Sequence, residues 1–195
     1  MDSGIFFLVA GPAGVGKTSL LKRLVAEEKN LVKAVSVTTR APRADEVDGI
    51  AYHFWDEQRF EDAAANGEFL EHAVVHGQRY GTLAQFVLDQ MNAGIDVVKD
   101  IDVQGVEQIG KHPLFGGRYV SIFIMPPSRD TLVERMKERG SETDETLAVR
   151  LRTADDELAM AREFEYIVTN DEFEHAMADL KAIRRAEHCL SSRQS

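Results

Sequence analysis

Cysteine is almost missing from this chain: Cys189 stands alone among 195 residues, which excludes an internal disulfide and suits a reducing compartment. Basic residues are also few. Lysine and arginine number 23 against 33 acidic residues, a formal charge of -10, so the surface as a whole cannot replace counterions along nucleic acid or an anionic membrane. Any anionic ligand must then be met by positive charge gathered locally. No apolar run approaches membrane-spanning length, no signal-peptide pattern opens the chain, and no repeat or low-complexity tract interrupts it. The expectation is a cytoplasmic protein without a membrane or nucleic-acid partner. With 44% hydrophobic residues at this length, the chain supports one core with inserted subdomains rather than two full domains.

What the chain does carry is GPAGVGKT, Gly11 to Thr18, which fits the phosphate-loop pattern G-x-x-x-x-G-K-[ST] at every fixed position. The setting fits as well. Ile5 to Ala10 reads as a buried parallel strand, and Lys17 to Glu27 places Leu20, Leu21, Leu24 and Val25 at helical spacing. Gly11, Gly14 and Gly16 permit positive φ and close approach, so backbone N–H groups and the positive end of the helix can face phosphate oxygens. Pro12, Ala13, Val15 and Ser19 complete this cradle. Lys17 adds a cation for the outer phosphates, and Thr18 a hydroxyl for a phosphate-bound Mg²⁺. The competing reading is a glycine-rich turn that binds nothing; the register of Lys17 and Thr18 counts against it.

Further core strands are expected at Ala34 to Val37, Asp96 to Ile101, Tyr119 to Met125 and Tyr166 to Thr169, with helical patterns between most of them. This makes an α/β chain with a mostly parallel sheet. Arg40 to Tyr80 breaks the pattern with turn residues and short aromatic or β-branched pieces, the signature of a small lobe. After Pro126-Pro127, Ser128 can cap a helix running to Arg139, which Gly140 ends. Asp171 to Cys189 describes an amphipathic helix through Phe173, Met177, Leu180 and Ile183.

A phosphate loop alone does not separate a kinase from an ATPase or a GTPase. Asp102-Val103-Gln104-Gly105 satisfies the D-x-x-G spacing of GTPase switches, but N-K-x-D is absent and Thr169-Asn170-Asp171 does not supply it. The region from Ser36 to Phe54 says more. Arg40 and Arg43 flank Pro42, which holds the chain extended, and two guanidinium forks aimed at one place suit a phosphate monoester. Tyr52 and Tyr80 can add hydroxyl donors. Set against this is a pair of surface arginines neutralised by Asp45, Glu46 and Asp48. Guanine presents two adjacent N–H donors and the O6 acceptor, so a pocket for it needs a carboxylate on one edge and hydroxyl donors near the other. Glu71, Ser36 and Thr82 can supply these.

At these residues the chain resembles the guanylate kinases. The resemblance covers nearly the whole length and rests on GPAGVGKTS, SVTTRAPRADEVDGIAYHF, GEFLEHAVVHGQRYGT, DIDVQG, IFIMPPS, RMKERG and VTND. It implies a phosphate-loop nucleoside monophosphate kinase fold, a mostly parallel sheet flanked by helices: core 1–34, 88–127 and 153–195, a GMP-binding lobe 35–87 and a small helical lid 128–152. It also implies transfer of the γ-phosphoryl of ATP to GMP, and also to dGMP, in purine metabolism, with Mg²⁺ and without an obligatory protein partner. Position by position, Ser36, Glu71, Thr82 and Asp102 would contact guanine, while Arg40, Arg43, Tyr52 and Tyr80 would hold its phosphate. Asp100 would lie near the metal, directly or through water, and the reacting phosphates. Arg135, Arg139 and Arg150 would form the lid over ATP, with Asn170 near adenine. The catalytic set is then Lys17, Arg43, Asp100, Arg139 and Arg150.

The lid has a physical argument of its own. Arg135 and Arg139, four apart on one helix, repel unless an anion lies between them; the alternative is a solvated face balanced by Glu134, Glu138 and Glu142. The chain also departs from the family pattern: His72 replaces a common Trp, Gln78-Arg79 stands for Asn-Tyr, Val37 replaces a small residue, and Lys99 interrupts an apolar strand. Lys99 can either snorkel to solvent or add charge near the phosphates. His72 and His76 have the spacing of helical metal ligands but fall in a strand and turn, which argues against zinc. Two other readings compete: a noncatalytic interaction module of this family, which the intact donor loop disfavours, and a sugar-phosphate kinase, which the guanine set disfavours.

Overall fold

Short apolar runs build a parallel sheet here, and its three central strands are the deeply buried ones. The protein is represented by a computed structural model describing residues 3–193 except 76, 116 and 139–143, without the side chains of 138, 144, 145 and 192. Nine strands are found among these residues: β1 (Phe6–Ala10), β2 (Leu31–Lys33), β3 (Val37–Thr38), β4 (His53–Phe54), β5 (Phe69–Val75), β6 (Gln78–Leu83), β7 (Asp96–Asp100), β8 (Val120–Met125) and β9 (Tyr166–Thr169). The helices are α1 (Lys17–Glu27), α2 (Glu57–Ala65), α3 (Ala84–Asn92), α4 (Val103–Lys111), α5 (Arg129–Glu138), α6 (Asp144–Ala159) and α7 (Phe173–His188).

The core sheet runs β2-β7-β1-β8-β9 with every pairing parallel. β1 lies in the middle and is buried at all five positions, as expected of a strand covered on both faces. Alternation divides its side chains. Phe7 and Val9, with Val98 and Ile122, pack on Leu20, Leu21 and Leu24 of α1 and on Met177 and Leu180 of α7. Phe6 and Leu8, with Val97, pack on Ala84, Val87 and Met91 of α3 and on Ile109 of α4. Each large side chain removed from water this way contributes about 1.5–3 kcal/mol.

A second sheet, β4-β3-β6-β5, holds the region expected to form a lobe. β3 pairs in parallel with β4, while β6 is antiparallel to both β3 and β5. Val37 is fully buried here beside Phe60, Ala63 and Phe69, which is why a larger residue is tolerated at this departure. One expected strand needs correction. Ala34 to Val37 is not a single strand: Leu31–Lys33 ends in the core sheet, Val37–Thr38 begins in the second one, and Ala34 to Ser36 crosses between them. An apolar run cannot reveal a change of sheet, because both sheets bury its residues. The lobe boundary at 87 falls inside α3, whose Ala84, Val87 and Met91 all belong to the core layer.

The remaining elements follow their local signals. Ser128 Oγ accepts from Thr131 N at 3.1 Å, capping α5, whose described part ends at Glu138; Arg139 and Gly140 lie outside the described residues. His72 sits in β5, and His76 is also outside. No described helix is long and apolar enough to cross a membrane.

Asp96 fastens the far edge of the core sheet. Its carboxylate is 1% exposed, accepts from the Ile5 N–H at 2.8 Å and from Arg184 Nε at 2.6 Å, and lies 2.8 Å from His188 Nε2. Arg184 also reaches Glu28 at 2.6 Å, so one carboxylate ties β1, β7 and α7 together. Removing one partner of a buried ion pair strands the other. Asp96→Ala is expected to lower unfolding stability by about 3–5 kcal/mol in urea titration. Glu107→Ala, which removes an exposed pair with Lys111, should leave the midpoint where it was; equal effects for both would contradict the clamp.

Candidate active site

The loop after β1 emerges at the carboxyl edge of the parallel sheet, between β7 and β8, the place where open α/β sheets receive ligands. Its shape depends on close approach. A Cβ on Gly11 would lie 2.4 Å from the Ile124 carbonyl oxygen, and one on Gly16 would lie 2.5 Å from Asn170 Nδ2; both residues have positive φ, 140° and 101°. Gly16 is the N-cap of α1, so the first N–H groups of the helix open toward the loop. Thr18 and Ser19 are exposed on that first turn, while Val15 is buried beneath it. Lys17 folds back, its Nζ donating to the Gly11 carbonyl and to the Pro12 carbonyl at 3.3 Å.

Asn170 does work that its sequence context did not reveal. It is 6% exposed, its Nδ2 donates to the Val15 carbonyl at 2.7 Å, and its backbone N–H donates to Met125 O at 2.8 Å. The side chain thus pins the loop from below, instead of standing open toward a ligand. Arg135 Nη1 donates to the Asn170 carbonyl at 3.1 Å, tying α5 to the same junction.

Across an open cleft from Ala13, one face of α6 presents Thr146, Arg150, Thr153 and Glu157. Steps of four, three and four residues make this one polar stripe, a periodic signal present in the sequence beyond Arg150 itself. Burial holds the Glu157 carboxyl above its ordinary range, against the pull of Lys17 and with the added push of Asp102. Glu157 therefore shares the field of the loop lysine.

The second cluster lies on the second sheet. Arg40 grips Glu46 with two contacts of 2.8 Å and lies over the rings of Tyr52 and Phe54. The Tyr52 and Tyr80 rings meet edge to face at 5.8 Å. Hydrogen bonding to Glu46, reinforced by Tyr80, holds the Arg40 guanidinium in its charged form. Arg43 is exposed; its backbone N–H donates to Glu46 at 2.9 Å. Neutralisation by Glu46, the competing reading of these arginines, is thus present for Arg40. Asp48 does otherwise, accepting from the Phe54 N–H at 2.8 Å.

Glu71 and Thr82 face each other across β5 and β6, and Thr82 Oγ1 donates to Glu71 Oε1 at 2.5 Å. Thr82 is 1% exposed. Its proton lies on the carboxylate and so orients Glu71. Ser36 stands apart from this pair: Lys99 Nζ donates to its Oγ. Lys99 is 4% exposed and lines a cavity with Ser36, Tyr52 and Asp100. Asp102 caps α4, its Oδ1 accepting from the Gly105 N–H at 2.7 Å, so the D-x-x-G spacing that mimicked a switch is a helix N-cap. Asp100 ends β7 opposite Val9, one strand spacing of about 4.8 Å from the strand that feeds the loop.

Two other departures are structural. Arg79 bonds Glu57 and Glu61, each at 2.8 Å, fastening β6 to α2. The His72 ring packs against Phe60 and Phe69, occupying the place a larger aromatic would fill.

Residues 5–187 match the family model of guanylate kinase. A guanylate kinase of Nitrosococcus oceani is 46% identical over 193 residues, 98% of this chain and 93% of that protein. One of Thiobacillus denitrificans is 42% identical over 191 residues, covering 98% and 90%. The crystal structure of guanylate kinase from Anaplasma phagocytophilum superposes with a TM-score of 0.75 at 32% identity, covering 98% of this chain and 90% of that one. The glycine loop, the paired sheets and these likenesses agree, and the chain belongs to the guanylate kinase family.

Proposed function

We propose that this chain performs the guanylate kinase reaction, transfer of the γ-phosphoryl of ATP to GMP, by dividing it between the Gly11–Thr18 loop and the lobe carrying Arg40 to Thr82. One observation carries the division. Two unlike polar clusters meet at one edge of the core sheet, a glycine loop with its lysine at the end of β1 and a carboxylate, hydroxyl and arginine–tyrosine group on the second sheet, with Asp100 between them.

On the donor side, the loop N–H groups and the start of α1 receive the ATP phosphates. Lys17 exchanges its two carbonyl partners for phosphate oxygens, since bonds between opposite charges are the stronger ones. Arg135 and Arg150 close from α5 and α6 and Arg139 is assigned with them. Asn170 positions the loop. Thr18 and Asp100 offer hydroxyl and carboxylate oxygens, the donors Mg²⁺ takes, directly or through water; the ion, when bound, neutralises phosphate charge.

On the acceptor side, Arg40, Arg43, Tyr52 and Tyr80 hold the GMP phosphate, which takes the place Glu46 occupies against Arg40. Glu71 accepts the guanine N–H donors, with Ser36 and Asp102 completing the base site. No assigned contact requires the ribose 2′-hydroxyl, so dGMP is a substrate as well. A GMP phosphate oxygen is the nucleophile, and placement with charge stabilisation does the rest, without a covalent enzyme intermediate. Closure of lobe and lid excludes the water that would otherwise hydrolyse ATP. The single cysteine fits a cytoplasmic setting.

Coupled assays of ADP formation with GMP, AMP, UMP and CMP test the acceptor; turnover confined to AMP would overturn the base assignment. Glu71→Gln should raise the KM for GMP by about 10- to 100-fold, the loss of one charge-assisted hydrogen bond, with the ATP KM unchanged. An unaltered GMP KM would remove Glu71 from base reading. Asn170→Ala should do the reverse, raising the KM for ATP about tenfold because the Val15 carbonyl loses its buried donor. An effect on GMP alone would contradict the loop clamp.

A further inference from the structure

Lys99 is a cation buried on a core strand, 4% exposed. Strand alternation puts it on the same face as Val97, toward the layer that includes Leu8 and Ile101, where an aliphatic side chain would satisfy the pattern. An ammonium there is costly to desolvate. Burial pushes its pKa down, the Glu71 carboxylate pulls it back up, and Lys33 opposes that pull. The side chain runs past the apolar layer to a cavity lined by Ser36, Tyr52, Asp100 and Lys99 itself, among others. There its Nζ donates to Ser36 Oγ.

A charged lysine sets the polarity of that bond. A lysine ammonium has donors and no acceptor, and a serine hydroxyl has one proton and two lone pairs. Ser36 Oγ must accept from Lys99, which leaves the serine proton for a different acceptor. Thr82 is polarised the opposite way, its single proton lying on Glu71. The two hydroxyls that look alike in the sequence therefore differ in kind: one is a donor held beside a positive charge, the other an orienting group for a carboxylate.

We propose that Lys99 is a positioning and specificity residue of the acceptor site, occupying one lone pair of Ser36 and setting positive charge beside its hydroxyl so that the site selects a 6-oxopurine over a 6-aminopurine. The inference rests on the proposed assignment of Ser36 and Glu71 to the base. Guanine turns a carbonyl toward the Ser36–Lys99 side and N–H donors toward Glu71. Adenine would turn an amino donor toward a hydroxyl flanked by a cation and a bare ring nitrogen toward a carboxylate, so both edges are disfavoured. A Ser36 without the cation beside it would accept from the amino group at less cost and leave the discrimination to Glu71.

The test uses the full chain with Lys99→Met, Ser36→Ala and the double variant, assayed with GMP, IMP and AMP at saturating ATP. Lys99→Met should raise the KM for GMP and for IMP about tenfold, in keeping with the loss of one polar contact. It should leave kcat and the ATP KM near wild type and narrow the preference for GMP over AMP. Ser36→Ala should act alike, and the double variant should be no worse than the poorer single variant. IMP matters because it keeps the 6-oxo group and lacks the amino group that Glu71 reads. Wild-type turnover without a preference for GMP would overturn the underlying base assignment. With that preference intact, an unchanged GMP to AMP ratio in a folded Lys99→Met chain, equal losses for ATP and GMP, or additive losses in the double variant would overturn the role of Lys99. If Lys99→Met does not fold, Ser36→Ala decides alone: an unchanged ratio refutes the proposal, and a narrowed one supports it.

Discussion

Parallel pairing of β1 with both β7 and β8 is the constraint on which the site depends. Parallel strands end at the same edge, so the loop after β1, Asp100 at the end of β7, Pro126 after β8 and Asn170 after β9 emerge together. No long-range side-chain contact is needed to gather them. The loop is then held at fixed height by two close approaches, Gly11 on the Ile124 carbonyl and Gly16 on Asn170. A side chain at either glycine would lift the loop from the sheet and turn its N–H groups away from a common focus.

A second constraint is electrostatic. In a chain with a formal charge of -10, the cations of the site must not repel one another in the absence of an anion, and three of them have internal partners. Lys17 rests on two carbonyls, Arg40 on Glu46, and Lys99 on a hydroxyl within the field of Glu71. These partners are of graded strength. The carbonyls of Gly11 and Pro12 are neutral, whereas Glu46 carries a full charge, so under the proposed assignment it competes with the acceptor phosphate for Arg40 more strongly than the carbonyls compete for Lys17. The acceptor side therefore opposes weak anions more strongly than the donor side does, a form of selectivity that comes from the lobe's own carboxylate.

Much of this was legible in the sequence for a definite reason. Residues 11–18 act through the backbone, and a backbone conformation that needs glycine writes itself as glycine. β1, α1 and β9 were readable because their burial follows a single period. What stayed hidden depends on partners distant in the chain. Nothing near Asn170 announces that its amide bonds Val15, a residue 155 positions away, and nothing near Thr82 says whether its proton goes to a ligand or to Glu71. Ala34 to Val37 misled because hydrophobicity records burial without recording which sheet does the burying. The stripe from Thr146 to Glu157 was readable by periodicity, yet it mixes hydroxyl, cation and carboxylate and so resembles a solvated face until Ala13 is seen opposite.

The departures from the family pattern share a consequence that none has alone. Arg79 ties β6 to α2 through two carboxylates, and His72 of β5 packs on Phe60 of α2 and on Phe69 of its own strand. Val37 fills the layer beneath them. All three act on the hairpin that carries Glu71 and Thr82, fixing the carboxylate edge of the acceptor pocket. Lys99 acts on the opposite edge, through Ser36. One edge is thus fixed by packing and surface ion pairs and the other by a buried charge. The two differ in how they fail: loosening the hairpin displaces Glu71 gradually, whereas removing the Lys99 ammonium takes the positive charge away from the Ser36 hydroxyl at once. Discrimination between a carbonyl and an amino group is therefore assigned to the edge whose state is discrete.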